Sequence, residues 1–256
     1  MKRHKLLSCI LPSLLLIAAT ASFGAPAQYT QGHADIGLGV YDEQLNVDVL
    51  ELHLHVHPGA IVDGVPLVSD GEYAPDDAVI VVPFASQSPR PADPPWNAVG
   101  VGSGQPFWYL PQTLDPSVPF LGIGAEDMQG GTFDNDMLQL RLLSLSGPGQ
   151  FSVWQTDGFG STTFFVSTAL NGSNNPAANK VTGIYTPSHG HFGWGFSSPG
   201  AYHATFEAYG TVNGVPQTDV GTFTFQVVPE PGSLGLLAAG APLVALAIWR
   251  RRGRTT

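Results

Sequence analysis

Seven histidines lie between positions 33 and 203, and six of them fall into three short motifs. In Glu51-Leu52-His53-Leu54-His55-Val56-His57 the alternation has the period of a β-strand, which turns Leu52, Leu54 and Val56 toward a core and all three imidazoles to the opposite face. Neighbouring imidazoles in such a ladder stand roughly 6.5 to 7 Å apart at Cα, close enough to converge on one ion, whereas the first and third are roughly 13 Å apart. The expectation is one pair from this strand, completed by ligands from another. His189-Gly190-His191 is a second pair, in which Gly190 lets the backbone bend until both rings face one side. His33-Ala34-Asp35 adds an imidazole and a carboxylate on a shared face, the carboxylate acting as a ligand or fixing the ring's tautomer from behind. The candidate ligands are thus His33, Asp35, His53, His55, His57, His189 and His191. The same alternation also describes a polar, solvated sheet face. His203 alternates against Tyr202 and Phe206 and is expected to point outward, which makes it the weaker candidate.

The rest of the composition narrows the chemistry. Cys9 is the sole cysteine and belongs to the expected leader, so a metal in the mature chain must be held by nitrogen and oxygen. That donor set suits zinc, with copper(II) and nickel also compatible. From position 28 to 228 there are three basic residues against nineteen acidic ones; a body so negative repels phosphate backbones and gathers cations, which argues against nucleic-acid binding. There is no HExxH helix, no GxSxG turn and no nucleophilic cysteine. A zinc hydrolase would need a general base, and none is identifiable beside the histidines, so the expectation is a binding protein, not an enzyme. Asp134-Asn135-Asp136 lacks the oxygen series of an EF-hand and reads as a solvated turn. Glu126-Asp127 and Asp76-Asp77 read as ordinary loop carboxylates. Trp96, Trp108, Tyr109, Trp154 and Trp194 can stack on sugars or fill a core; the first use defines an alternative role as an exopolysaccharide or extracellular-matrix binding module.

The elements that must carry these residues are strands. No stretch between positions 29 and 228 sustains helical periodicity over twelve residues, whereas strand signals recur at 34–40, 45–57, 78–83, 137–145, 150–155, 162–167, 201–209 and 221–228, separated by Gly, Pro, Asn and Asp. The fold class expected is all-β, a single β-sandwich of Ig-like or jelly-roll type. The proline-rich segment 87–112 is expected to wrap one of its edges. This body, 28–228, is flanked by two addresses. Residues 1–27 have a basic start, an apolar run and a small-residue finish, the layout of a secretory signal peptide. Residues 229–256 hold Pro229-Glu230-Pro231, an apolar stretch over 234–249 and Arg250, Arg251, Arg252 and Arg254, the layout of a short membrane helix with basic residues behind it.

Two resemblances follow from these motifs. The tail resembles the PEP-CTERM tripartite sorting signal, which implies handling by an exosortase, a transient inner-membrane anchor and final display at the cell surface or outside it. In the body, Gly32-His33-Ala34-Asp35-Ile36, the His-rich strand through His57, Leu121-Gly122-Ile123-Gly124-Ala125-Glu126, the segment from Ser146 to Asp157, and His189-Gly190-His191-Phe192-Gly193-Trp194 resemble the choice-of-anchor M surface-protein family. The likeness is closest to its Zur-repressed PEP-CTERM branch. That resemblance implies an extracellular domain made when zinc is scarce and a role in zinc scavenging or buffering, for which a zinc uptake system is the expected partner; exopolysaccharide is the partner of the alternative reading from the aromatics. It carries onto His33, Asp35, His53, His55, His57, His189, His191 and Trp194.

Overall fold

The computed structural model describes residues 24–229 apart from 43, 45 and 46; the expected leader up to position 23 and the apolar tail lie outside the described residues. The chain forms nineteen strands among those residues: β1 (Ala27–Gly37), β2 (Val40–Asp42), β3 (Val47–Val49), β4 (His53–Val56), β5 (Ile61–Val62), β6 (Val65–Pro66) and β7 (Gly71–Tyr73). There follow β8 (Ala78–Val82), β9 (Gln87–Pro89), β10 (Pro106–Leu110), β11 (Pro119–Gly124), β12 (Met137–Ser146), β13 (Phe151–Thr156) and β14 (Thr162–Ser167). Last come β15 (Lys180–Tyr185), β16 (His189–His191), β17 (Gly193–Phe196), β18 (Gly200–Val212) and β19 (Val215–Val227). One α-helical turn, Thr168–Asn171, is capped by the Ser167 side chain, which accepts from the Leu170 N–H.

Two sheets make the sandwich. The larger runs β15-β12-β18-β19-β8-β1-β11-β16, with β4 and β7 stacked beside β1; the smaller runs β14-β13-β17-β10-β9. An aromatic core joins them: Phe151, Trp194 and Phe196 of the small sheet meet Phe206 and Phe225 of the large one, with ring centroids 5.2 to 6.4 Å apart, in the edge-on and tilted arrangements that aromatic quadrupoles favour. The larger sheet is not purely antiparallel, since β1 runs parallel to both β8 and β11, and β8 parallel to β19.

Strand β1 belongs to two ladders. Residues 27–29 pair with β8, and residues 32–37 pair with β11 on one side while residues 34–37 pair with β4 on the other. The change of course falls at Gly32, whose φ is +87° and whose absent Cβ would lie 2.6 Å from the Cα of Ala60; only glycine fits both demands. Downstream of that bend the strand carries His33 and Asp35 into the histidine-rich part of the sheet.

The expected strands are present with shifted limits, and one is divided. The segment 45–57 is broken between β3 and β4, where the Leu52 N–H donates to the carboxylate of Asp219 (2.7 Å) and β3 turns away to pair with β2. Strands β18 and β19 are longer than the hydrophobic pattern indicates. They close on Asn213-Gly214, both at positive φ, the residue pair a two-residue hairpin turn favours. The segment 87–112 does form an edge, since β9 and β10 end the small sheet.

Candidate metal centre

Five strands in the order β7-β4-β1-β11-β16 form the face that matters. Across it runs one row of partners: Glu72 beside His55, His55 beside Asp35, Asp35 beside Gly122, and Gly122 beside His191. The next row holds His53, Gly37, Gly124 and His189. Because side chains alternate along strands, the seven predicted ligands project from this one face. Every one of them is brought there, from the three strands β1, β4 and β16 and from His57 just after β4.

Glycine makes room for them. A Cβ on Gly122 would sit 2.0 Å from Oδ1 of Asp35, and one on Gly37 would sit 2.2 Å from Nε2 of His53. The Gly-x-Gly of β11, unfavourable in a strand on propensity alone, is thus the floor on which the buried side chains rest.

The opposite alternation behaves as expected, with Leu52, Leu54 and Val56 buried in the core. The imidazole face, however, is solvated only in part. His53 and His55 are 4% and 6% exposed, and Asp35 1%. The reason is a cover that the sequence reading assigned to ordinary loop chemistry. Glu126 and Asp127, just after β11, fold over the face: Nδ1 of His189 lies 2.5 Å from Glu126, Nε2 of His57 3.2 Å from Glu126, and Nδ1 of His55 2.6 Å from Asp127. Glu72 closes the side, 3.1 Å from both His53 and His55, and Asp70 stands 3.3 Å from His55. None of these four carboxylates was singled out as a ligand. The signal available was positional: Glu126 stands two residues after the Gly-x-Gly.

The rings crowd one another. His57 stacks between His33 at 4.1 Å and His55 at 4.4 Å, centroid to centroid, while Nε2 of His33 and Nε2 of His191 are 3.1 Å apart. His53 and His57 share none of the possible ligand groups, as the spacing along the strand requires.

Electrostatics within the cluster is divided. Burial alone would raise the carboxyl of Asp35, but hydrogen bonds from His33 and His57 (3.2 and 2.9 Å) outweigh it and hold the group below the usual carboxylate range. Burial likewise would lower His55, yet the hydrogen bond to Asp127 and the charge of Glu72 hold it above its ordinary value. His57 is raised, mainly through its bond to Asp35. His191 is lowered by burial and by its neighbours His33 and His189. Glu72 is raised by burial.

Two buried atoms of this face lack what buried polar atoms ordinarily have. Oδ1 of Asp35 has no hydrogen-bond partner. Nδ1 of His53 faces the carbonyl oxygen of Glu51 at 3.2 Å, an arrangement that puts its proton there and leaves Nε2 with a free lone pair. That Nε2 lies 3.1 Å from Glu72 but off the axis of a hydrogen bond, and is unpaired. The donor set, imidazole nitrogen and carboxylate oxygen without sulfur, fits zinc.

The remaining residues separate from this site. His203 is exposed and bonds to Thr224. Trp194 is fully buried, its indole N–H donating to the carbonyl of Leu121 (2.8 Å) and tying the small sheet to the strand of the glycine floor. Trp108 and Trp154 are buried as well, whereas Trp96 and Tyr109 rim a cleft of about 510 Å³ on the small sheet. Asp134 caps the long hairpin, accepting from the N–H groups of Asn213 and Gly214, so the acidic turn is structural.

Comparison with known proteins bears on the tail. Residues 227–252 match the PEP-CTERM protein-sorting motif, which marks an exported protein that transits the membrane and is processed by an exosortase. No curated protein and no solved structure matches the chain. Fold and tail together define an exported all-β sandwich protein with a C-terminal sorting segment. No helix among the described residues is long and apolar enough to cross a membrane.

Proposed function

We propose that this is a surface-displayed zinc-binding protein that scavenges or buffers zinc when the metal is scarce. The observation that carries the reading is the pair of buried, unpartnered donors, Oδ1 of Asp35 and Nε2 of His53, set among five further imidazoles. Leaving such atoms unpaired costs about 1 to 3 kcal/mol each, and a bound cation removes that cost. The resemblance to the choice-of-anchor M family and its Zur-repressed branch supports the same reading, as does the acidic body, which concentrates cations near the face. Binding, not catalysis, is the role: the carboxylates at the face all engage imidazoles. Copper(II) and nickel compete for the same donors.

The test is a zinc titration of metal-free protein against a chromophoric competitor, with His55→Ala and His191→Ala in parallel. Tight binding weakened in both variants supports a centre built from two distant segments; absent binding, or binding indifferent to both, contradicts it. The Trp96 and Tyr109 cleft supports a second reading, a saccharide-binding surface. Glycan binding that survives chelation and is lost in Trp96→Ala would favour it. Trp108, buried beneath the cleft strand, is not available for that role.

A further inference from the structure

The donors on the face outnumber what one ion can take. Six imidazoles and four carboxylates lie within reach of one another in overlapping groups, whereas zinc takes four ligands and rarely more than five. The groups sort into two zones. His53, His55, Glu72 and Asp127 form a set whose ligand atoms lie within 4.8 Å of one another, with both imidazoles buried. A second set of the same tightness, His33, His189 and His191, shares no residue with the first. Around that second set the groups His33-Asp35-His57 and Asp35-Glu126-His189 overlap through His33, Asp35 and His189, so they describe one zone with interchangeable ligands.

Charge divides in the same way. The first zone holds Glu72 and Asp127, with the more exposed Asp70 3.3 Å from His55 at its rim, and the second holds Asp35 and Glu126. A divalent cation in each zone offsets its negative charge, and the cost of gathering these carboxylates on one partly buried face falls accordingly. The two unpartnered atoms also fall one to a zone. Nε2 of His53 belongs to the first; Oδ1 of Asp35 lies over Gly122, on the side toward His191.

Resting on the zinc reading above, we infer that the face binds two divalent cations at once: one held by His53, His55, Glu72 and Asp127, the other by His33, His189 and His191 with Asp35. The imidazole of His57 and the carboxylate of Glu126 stand between them, each within ligand distance of both zones. The inner set, with its imidazoles buried, retains its ion. The outer set, with His189 exposed, exchanges its ion with solvent.

Native mass spectrometry of the full-length protein in detergent, loaded with zinc and then exchanged into metal-free buffer, counts the ions directly. Two zinc ions per wild-type chain are expected, with one in Glu72→Gln/Asp127→Asn and one in His189→Ala/His191→Ala. Under a graded competitor the wild type should lose its ions in two steps, the first resembling the loss seen in the inner-set variant. A single ion in the wild type, lost in both variants, overturns the two-ion assignment while leaving the zinc centre standing. No ion in the wild type overturns the zinc reading itself. Two ions in either double variant contradict the ligand assignment. The wild-type count is decisive even where a variant fails to fold.

Discussion

Asp35 is the residue on which the face turns. It is buried, receives His33 and His57 on one oxygen and leaves the other unpaired. Asp35→Asn keeps the shape but removes the charge, and zinc affinity should fall by about 10- to 100-fold, the range for loss of a group that ligates or orients ligands; competitor titration reads this. Gly122→Ala should act more severely, since its Cβ would meet Oδ1 at 2.0 Å. Overpacking of this kind costs about 1 to 3 kcal/mol, visible as a lowered Tm together with lost zinc binding. Protons and zinc compete for the same nitrogens. Because His55 and His57 hold their protons above the ordinary 6.5, zinc release should begin above that pH as the solution is acidified. The metal-free protein has the opposite slope. Groups raised in the folded state contribute stability that is complete below pH 6.5 and is lost as pH rises through their folded values. Asp35, lowered, contributes above its ordinary 3.8 and loses that contribution only as pH falls further; His191, lowered, opposes the other two histidines in part. Thermal melts at pH 5.5 and 8 should therefore rank metal-free protein as more stable at 5.5 and zinc-loaded protein as more stable at 8. Parallel behaviour of the two forms would contradict imidazole ligation.

At the scale of elements, the histidine-bearing strands were legible because their chemistry is periodic: His53, His55 and His57 alternate with core leucines and valine, and His33 with Asp35 shares their parity. The strands that frame them were not. β11 and β17 carry glycine at alternate positions, and β-propensity marks glycine as a break, although here each glycine exists because another residue's side chain occupies the space of its Cβ. The same blindness hid Glu126 and Asp127, whose meaning depends on where β11 ends relative to β4. Trp194 links these elements, so Trp194→Phe leaves the Leu121 carbonyl unpaired in the core. A cost of about 1 to 3 kcal/mol is expected, with some weakening of zinc binding because β11 carries the floor. The hairpin of β18 and β19 is pinned at its tip by Asp134, whose carboxyl is lowered by hydrogen bonds from Gly214, Thr211 and Asn213. Asp134→Ala should lower Tm at pH 7 and have no effect once the pH is below the range in which that carboxyl ionises.

Over the whole chain, the sequence reads as an expected export leader, an acidic sandwich and a sorting tail, and the sandwich class was readable from strand signals recurring between turn residues. The strand order was not, because parallel pairing of β1 with β8 and β11 depends on the bend at Gly32. A body with three basic residues against nineteen acidic ones should capture zinc at a rate that falls as salt is added, since the attraction is screened over about 8 to 10 Å at 0.1 to 0.15 M. Stopped-flow association at 20 and 500 mM salt would show the difference. The proposed function requires imidazoles from three separated segments, β1, β16 and β4 with His57, to ligate metal on one sheet face. Anomalous diffraction from zinc-loaded crystals, recorded on either side of the zinc absorption edge, tests it most directly. Anomalous density is expected between His53, His55, Glu72 and Asp127 and again beside His33, His189 and His191; zinc-loaded crystals with no anomalous density on that face would overturn the assignment.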